Sequence, residues 1–235
     1  RGRSRSASNV WGRNTEETQT ALKEHGRTLC IGQAGENLVR IAGVALEDRM
    51  AARGGLGAVL GAKRLKAITV FGTGELPNLD TEVAKAFHKQ THAANAKRSG
   101  YFHEMGTLEI PPKVNDGNLW PTHNWQDVTW SKGENLYFPR WKNLLTGYTT
   151  CFDCAIRCTR TNTSRYEDHG RGPEYETTWA FGPQVLNEDP NLIVHANKLC
   201  DLYGLDTIST GSVIGFYREC IERGLTNDSW TTNEK

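Results

Sequence analysis

Residues 33–74 read QAGENLVRIAGVALEDRMAARGGLGAVLGAKRLKAITVFGTG, and this stretch decides the fold class. Two runs rich in β-branched and apolar residues, 38–46 and 65–71, flank a glycine-rich centre, Arg53-Gly54-Gly55-Leu56-Gly57. That order predicts strand, glycine turn, short helix, strand. Upstream, TEETQTALKEH (15–25) predicts a helix capped by Asn14 or Thr15 and stopped by Gly26, and RTLCIG (27–32) a short strand. Downstream, Pro77 and Asn78 mark a boundary, and Asp80 caps a helix over 81–97. Residues 100–142 read as loop-rich, with Trp120, Trp125, Trp130 and Trp141. From 143 onward the pattern reads as helical. Leu192, Ile193, Ala196, Leu199, Cys200 and Tyr203 recur at three- and four-residue steps, as do Ile208, Val213, Phe216, Tyr217, Cys220 and Ile221. The expected fold class is α+β, with a β-containing domain over 1–76 and a mostly helical domain over 77–235.

Composition narrows the function classes. Of the 235 residues 37% are hydrophobic and 23% charged, which is enough apolar material for a buried core. The 28 basic and 27 acidic residues leave a formal charge of +1, which argues against a nucleic-acid partner. No apolar run is long enough to span a membrane. The opening RGRSRSASNVWGR lacks the apolar stretch of a secretory signal, so a cytoplasmic setting is expected. The chain begins without Met, and we expect it to be the middle of a longer polypeptide.

The cysteines are unevenly placed. Cys151, Cys154 and Cys158 form C-x2-C-x3-C, whereas Cys30, Cys200 and Cys220 are scattered. Thiolates at this spacing can converge from a loop, as in iron–sulfur sites. The rival readings are a structural zinc site, with His169, Cys200 or Cys220 as fourth ligand, and unligated buried thiols. Cys200 also lies on an apolar helical face, where a buried core cysteine is the simpler reading.

Three further stretches carry chemistry. In Arg53-Gly54-Gly55, glycines let backbone N–H groups approach an anion or a flat ring, and Arg53 adds a planar donor fork; a plain tight turn is the alternative. In DLYGLDT (201–207), Gly204 suits a helix C′ position and Asp206 a helix cap. Asp201 is left over, because an acid near a helix C-terminus opposes the dipole. In GPEYET (172–177), Glu174 and Glu176 form either an acid/base station, if apolar neighbours desolvate them, or an ordinary helix N-terminal turn.

Taken together, AGENLVR (34–40), RGGLGAVLGAKRLKAI (53–68), the cysteine run (151–158), GPEYET and DLYGLDTIS (201–209) stand in an order that resembles the tungsten-containing aldehyde:ferredoxin oxidoreductase family. The resemblance implies the end of a β-rich, pterin-binding saddle domain followed by a helical domain, with the family's C-terminal domain absent. It implies a tungstopterin, molybdenum being the alternative metal, with Mg bridging the pterin phosphates as a further candidate. It also implies a [4Fe–4S] cluster with Cys151, Cys154 and Cys158 as ligands and a fourth cysteine outside the chain. Arg53, Gly54 and Gly55 would contact one pterin, and Asp201, Leu205 and Asp206 the other. Glu176 would be the proton-transfer acid beside the metal. The implied reaction is anaerobic aldehyde oxidation to a carboxylic acid, with electrons passed to ferredoxin or an electron-transfer subunit in a homo- or hetero-oligomer. His195 stands where many members carry a Glu of an iron site between subunits. The alternatives are a subunit of a tungsten-dependent aromatic acyl-CoA (benzoyl-CoA type) reductase, and a non-catalytic iron–sulfur or zinc module. Substrate-shaping residues are expected in 118–142.

Overall fold

The computed structural model describes residues 3–74, 81–151 and 154–226. It is 49% helical and 13% strand, an α+β fold. The chain separates into two compact units: residues 1–75 with 198–210, and residues 76–197 with 211–235. The expected boundary at Pro77-Asn78 and the cap Asp80 lie outside the described residues.

The first unit opens with α1 (Thr15–Leu22), whose start is set locally. Asn14 Oδ1 accepts from Glu17 N–H at 2.8 Å and Glu17 Oε2 accepts from Asn14 N–H at 3.0 Å, a reciprocal capping box. A 3₁₀ turn over Lys23–His25 and Gly26 end it, and β1 (Arg27–Cys30) follows. After α2 (Gln33–Glu36) come β2 (Val44–Leu46), β3 (Arg49–Ala51), α3 (Leu56–Ala62) and β4 (Ala67–Val70). The four strands form one antiparallel sheet in the order β3-β2-β1-β4. Leu29 faces Leu46 on one side and Ile68 on the other, and Cys30 faces Ala45 and Ala67.

The strand–turn–helix–strand expectation for 33–74 holds in outline and needs two corrections. Only 44–46 of the run 38–46 is strand; the start of that run is turn, and the short α2 precedes it. Strand β3, Arg49-Met50-Ala51, is too short to carry a periodic signal and exists because it pairs with β2.

Helices α2 and α3 touch backbone to backbone, which accounts for several of the glycines. A Cβ at Gly35 would lie 2.8 Å from Ile31 Cβ, and one at Gly61 would run into the Gly35 carbonyl oxygen. A Cβ at Gly57 would meet the Gly43 carbonyl oxygen. A buried ion pair fixes the same corner. Lys66 Nζ lies 2.5 Å from Glu36 Oε1, with side chains 1% and 6% exposed. Lys66 also donates to Arg13 O at 2.8 Å, and Glu36 accepts from Gly12 N–H at 2.9 Å.

In the second unit α4 (Thr81–Arg98) follows its sequence signal closely and buries none of its residues. The stretch read as loop-rich carries α5 (Gly100–Met105), a 3₁₀ turn over Gly106–Glu109, α6 (Ile110–Asp116), a 3₁₀ turn over Gly133–Leu136, and α7 (Phe138–Trp141). Pro111 and Pro112 do not break α6, because they occupy its first turn, where no N–H is needed. Trp120 and Trp141 are fully buried and Trp130 nearly so; with Leu108, Leu136, Phe181 and Ile193 they make the core.

The purely helical reading of 143 onward is wrong. Strands β5 (Leu145–Thr149), β6 (Thr159–Asn162) and β7 (Gly170–Arg171) form an antiparallel sheet in that order, with an irregularity between Leu145 and Gly147. These segments are polar and short, so their pairing is invisible to periodicity. Helices α8 (Tyr175–Phe181), α9 (Pro190–Tyr203) and α10 (Thr207–Glu222) follow. The expected apolar faces are only partly buried: Ile193 and Cys200 are core, whereas Leu192, Leu199, Tyr203, Val213 and Phe216 are exposed.

Candidate functional site

All six residues expected to hold a pterin lie in the first unit. Between β3 and α3 the chain turns through Gly54 (φ +95°) and Gly55 (φ +72°), conformations that L side chains rarely adopt. A Cβ at Gly55 would fall 2.6 Å from Arg40 O, whereas nothing lies within 4 Å of that position at Gly54. Gly55 is therefore explained by packing inside the chain, and Gly54 presents bare backbone to open space.

Residues 204–206 are hydrogen-bonded alongside 41–43. Gly43 N–H donates to Gly204 O at 2.8 Å, Asp206 N–H donates to Ile41 O at 3.0 Å, and Ala42 bridges Leu205. This brings Arg53 Nε to 3.9 Å from Asp206 Oδ2. Arg53 is 65% exposed and Asp206 2%. A pair with one partner so exposed adds about 0–1 kcal/mol, so stability does not account for Arg53.

Asp206 and Gly204 have the local roles their positions predicted. Asp206 Oδ2 accepts from Ser209 N–H at 3.0 Å and from the Ser209 hydroxyl, capping α10. Gly204 (φ +75°) and the Leu205 N–H bond to Cys200 O at 2.8 Å close α9 in a Schellman turn. Asp201 offers its carbonyl to the Thr15 hydroxyl at 2.7 Å, beside the start of α1. An exposed guanidinium, a glycine with open space over it and a buried carboxylate fit the edge of an anionic, heterocyclic ligand.

The cysteine run lies in the second unit, in the loop from β5 to β6. Cys151 is exposed, and Cys154 and Cys158 are half-buried. Cys154 N–H donates to Cys151 O at 3.1 Å, and the Thr150 hydroxyl donates to Cys154 O at 2.8 Å. The donor set, three free thiols on one loop, is right in kind for iron–sulfur or zinc. Among the described residues, no three His, Cys, Asp or Glu side chains converge on one point. Residues 152 and 153, inside the loop, lie outside the described set.

The remaining cysteines divide clearly. Burial pushes the thiol of Cys30 up to about 11 and that of Cys200 up to about 12. Both are core residues, so Cys200 takes the buried apolar reading rather than that of a fourth ligand. Cys220 is half-buried on α10 and His169 is exposed.

Glu174 and Glu176 begin α8, as the helix-turn reading predicted. Glu174 is the engaged acid: Oε2 accepts from the Thr107 hydroxyl at 2.6 Å and Oε1 from the Thr159 hydroxyl at 2.8 Å. Thr107 Oγ1 in turn accepts from Tyr175 N–H at 2.9 Å. Glu176 is exposed, so the desolvation argued from its aromatic neighbours is not supplied by the described residues. Trp179 turns into the core instead. The Tyr175 phenol is pushed up to about 12, chiefly by burial and then by the Glu176 charge.

Residues with no signal in the sequence complete this region. Thr107 reaches Glu174 from 67 positions away, and Arg160 is buried beneath the cysteine loop. His195 Nδ1 lies 2.6 Å from Glu167 Oε1, with its ring 5.1 Å from that of Tyr166. His195 is therefore engaged within its own unit. Of the four tryptophans in 118–142, the stretch expected to carry substrate-shaping residues, Trp125 is exposed and the other three are buried.

Comparison with known proteins adds the family. The profile described as aldehyde ferredoxin oxidoreductase, N-terminal domain, matches residues 3–72, and that described as aldehyde ferredoxin oxidoreductase, domains 2 and 3, matches 82–234. A tungsten-containing aldehyde ferredoxin oxidoreductase of Pyrococcus abyssi is 37% identical over 94% of this chain and 38% of its own length. One of Pyrococcus furiosus is 34% identical over 95% of this chain and 39% of its own length. The WOR-like subunit of an aliphatic sulfonate oxidoreductase of Pyrococcus furiosus is 32% identical over 83% of this chain and 32% of its own. The chain thus spans less than two-fifths of the length of these curated relatives. The solved active-site complex of a benzoyl coenzyme A reductase, bound to a dienoyl-CoA, shares the fold, with a TM-score of 0.74 over 97% of this chain and 38% of that one at 22% identity. With both family profiles matched across nearly its whole length, the chain belongs to the aldehyde ferredoxin oxidoreductase family.

Proposed function

We propose that this chain is part of a tungstopterin oxidoreductase that converts an aldehyde to a carboxylic acid and passes the electrons through a [4Fe–4S] cluster to ferredoxin or an electron-transfer subunit. The observation that carries the reading is the approach of Arg53 Nε to within 3.9 Å of Asp206 Oδ2 inside one unit, next to Gly54, whose Cβ position has nothing within 4 Å. The family's named relatives support aldehydes as the substrate class.

When bound, the metallopterin would supply the Lewis acid and the two-electron acceptor. The chain's own residues would do the rest. The Arg53 guanidinium would donate to pterin oxygen or phosphate, and the backbone at Gly54 would allow close approach. Asp201, Leu205 and Asp206 would line the other pterin, with Asp206 holding the α10 end in place through Ser209. Cys151, Cys154 and Cys158 would ligate the cluster as thiolates, with a fourth thiolate from elsewhere. Glu176 would take the proton released as the aldehyde is oxidised. It is exposed here, so the ligand or further protein would have to cover it.

The test is metal analysis and turnover of the full-length protein. Tungsten with about four irons, and ferredoxin reduction with an aldehyde, support the proposal. Zinc alone, or turnover only with an aromatic acyl-CoA thioester, overturns it. Glu176→Gln should lower turnover by about 100-fold with tungsten retained, the loss expected for a general base.

A further inference from the structure

The exit of the loop bearing the three cysteines is held by a buried arginine. Arg160, on β6 two residues past Cys158, is 6% exposed. Its Nη1 donates to His103 O at 3.2 Å and Glu104 O at 3.0 Å, carbonyls at the end of α5. Its Nη2 donates to the Arg157 carbonyl, inside the loop. Its guanidinium carbon lies 5.6 Å from the ring centre of Tyr148, on the strand entering the loop. A Cβ at Gly106, just after α5, would run into the Cys158 carbonyl oxygen, so α5 abuts the loop exit directly. Between Cys158 and Arg160, Thr159 is 1% exposed and bonded to Glu174. Cys151, at the other end, is exposed.

We propose that Arg160 is the positioning residue of Cys158: it clamps the exit of the cysteine loop to the end of α5 and so fixes the place of that thiol. Only a guanidinium suits the place. Its planar fork reaches carbonyls on two separate segments at once and lies against an aromatic face, which an ammonium cannot do together. The fork also donates to carbonyls in the last turn of α5, where helix carbonyls lack intrahelical partners. A fixed positive charge beside one thiolate also favours the reduced, more negative form of a cluster held there. The part of the inference that concerns a cluster rests on the iron–sulfur reading above; the clamp itself does not.

The experiment uses the full-length protein and two variants, Arg160→Met and Arg160→Lys, with Arg98→Met on the exposed α4 as control. In the metal-free protein, iodoacetamide labelling is followed residue by residue by mass spectrometry at about pH 10, where free thiols are ionised and the lost charge no longer sets the rate. In Arg160→Met the labelling rate of Cys158 should rise about tenfold, the change expected when a charged hydrogen-bond network opens a protected site, while that of Cys151 stays the same. Arg160→Lys should give an intermediate rate. In the iron-loaded protein, the reduction potential read by electron paramagnetic resonance should fall in Arg160→Met and fall less in Arg160→Lys. Unchanged Cys158 labelling in Arg160→Met, or equal labelling gains at Cys151 and Cys158, overturns the clamp. If the parent protein binds no iron–sulfur cluster, the iron–sulfur reading fails, and the labelling comparison still decides the clamp.

Discussion

Replacing Lys66 by Met should unfold the first unit at markedly lower denaturant and loosen residues 9–14. Lys66 and Glu36 form an ion pair at 2.5 Å with both side chains almost fully buried. Removing one partner strands the other charge in a site built for two. Such truncations cost about 3–5 kcal/mol, far more than the net worth of the pair. The structure favours the upper half of that range for two reasons. Lys66 also donates to Arg13 O, so that carbonyl loses a donor. Glu36 keeps only the weaker neutral donor Gly12 N–H among the contacts described above. Against a typical domain stability of about 5–15 kcal/mol, this is a large fraction. With a urea slope of about 2 kcal/mol/M, the midpoint of the first unit should fall by about 2–2.5 M. The assay is urea unfolding followed by circular dichroism, together with hydrogen exchange of the peptide over 9–14, where Gly12 N–H should lose protection. The double variant Lys66→Met with Glu36→Gln leaves no unpaired charge and should recover most of the loss. A single variant within 1 kcal/mol of the parent, or a double variant no better than the single, would refute the reasoning.

Other outcomes follow from the same geometry. Gly61→Ala sets two effects against each other: about 1 kcal/mol gained from helix propensity, and about 1–3 kcal/mol lost as the new methyl forces α3 off the Gly35 carbonyl. Because the contact is with backbone, which cannot swing aside, the loss should win, and thermal unfolding should shift downward; Gly72→Ala, with nothing within 4 Å, is the neutral control. The buried thiols predict an alkaline limit. Cys30 and Cys200 hold their protons in the fold up to about 11 and about 12, well above an ordinary cysteine thiol. The unfolded chain therefore releases protons first, and stability that is complete below pH 9 declines as pH rises toward 11–12, by about 1.4 kcal/mol per thiol per pH unit. Urea midpoints measured at pH 8, 9.5 and 10.5 should show the decline, and a variant with Ala at both positions should show a smaller one.

The elements that were legible in the sequence are those whose cause is local. The capping box at Asn14 and Glu17 marks the start of α1, and the Gly54-Gly55 turn into α3 follows from residue type alone. The Schellman close at Gly204 and the Asp206 cap likewise sit where their residues predict. Strands β3, β5, β6 and β7 were not legible, because short segments become strands only when a partner supplies the other half of each hydrogen bond. At the site, three cysteines at C-x2-C-x3-C spacing could be read directly, but Thr107, Thr159 and Arg160 could not. Their roles depend on hydroxyls and carbonyls tens of residues away.

By itself the sequence determined which short segments turn, cap or coil, and which residue types could meet an anion or a metal, because those properties reside in a few consecutive side chains. Only the tertiary structure decided which glycine faces open space and which merely lets two backbones touch. It also decided which of two neighbouring glutamates is engaged and which is exposed, and which cysteines are core. Burial and close approach are properties of pairs of distant segments, and one segment read alone carries no record of its partner.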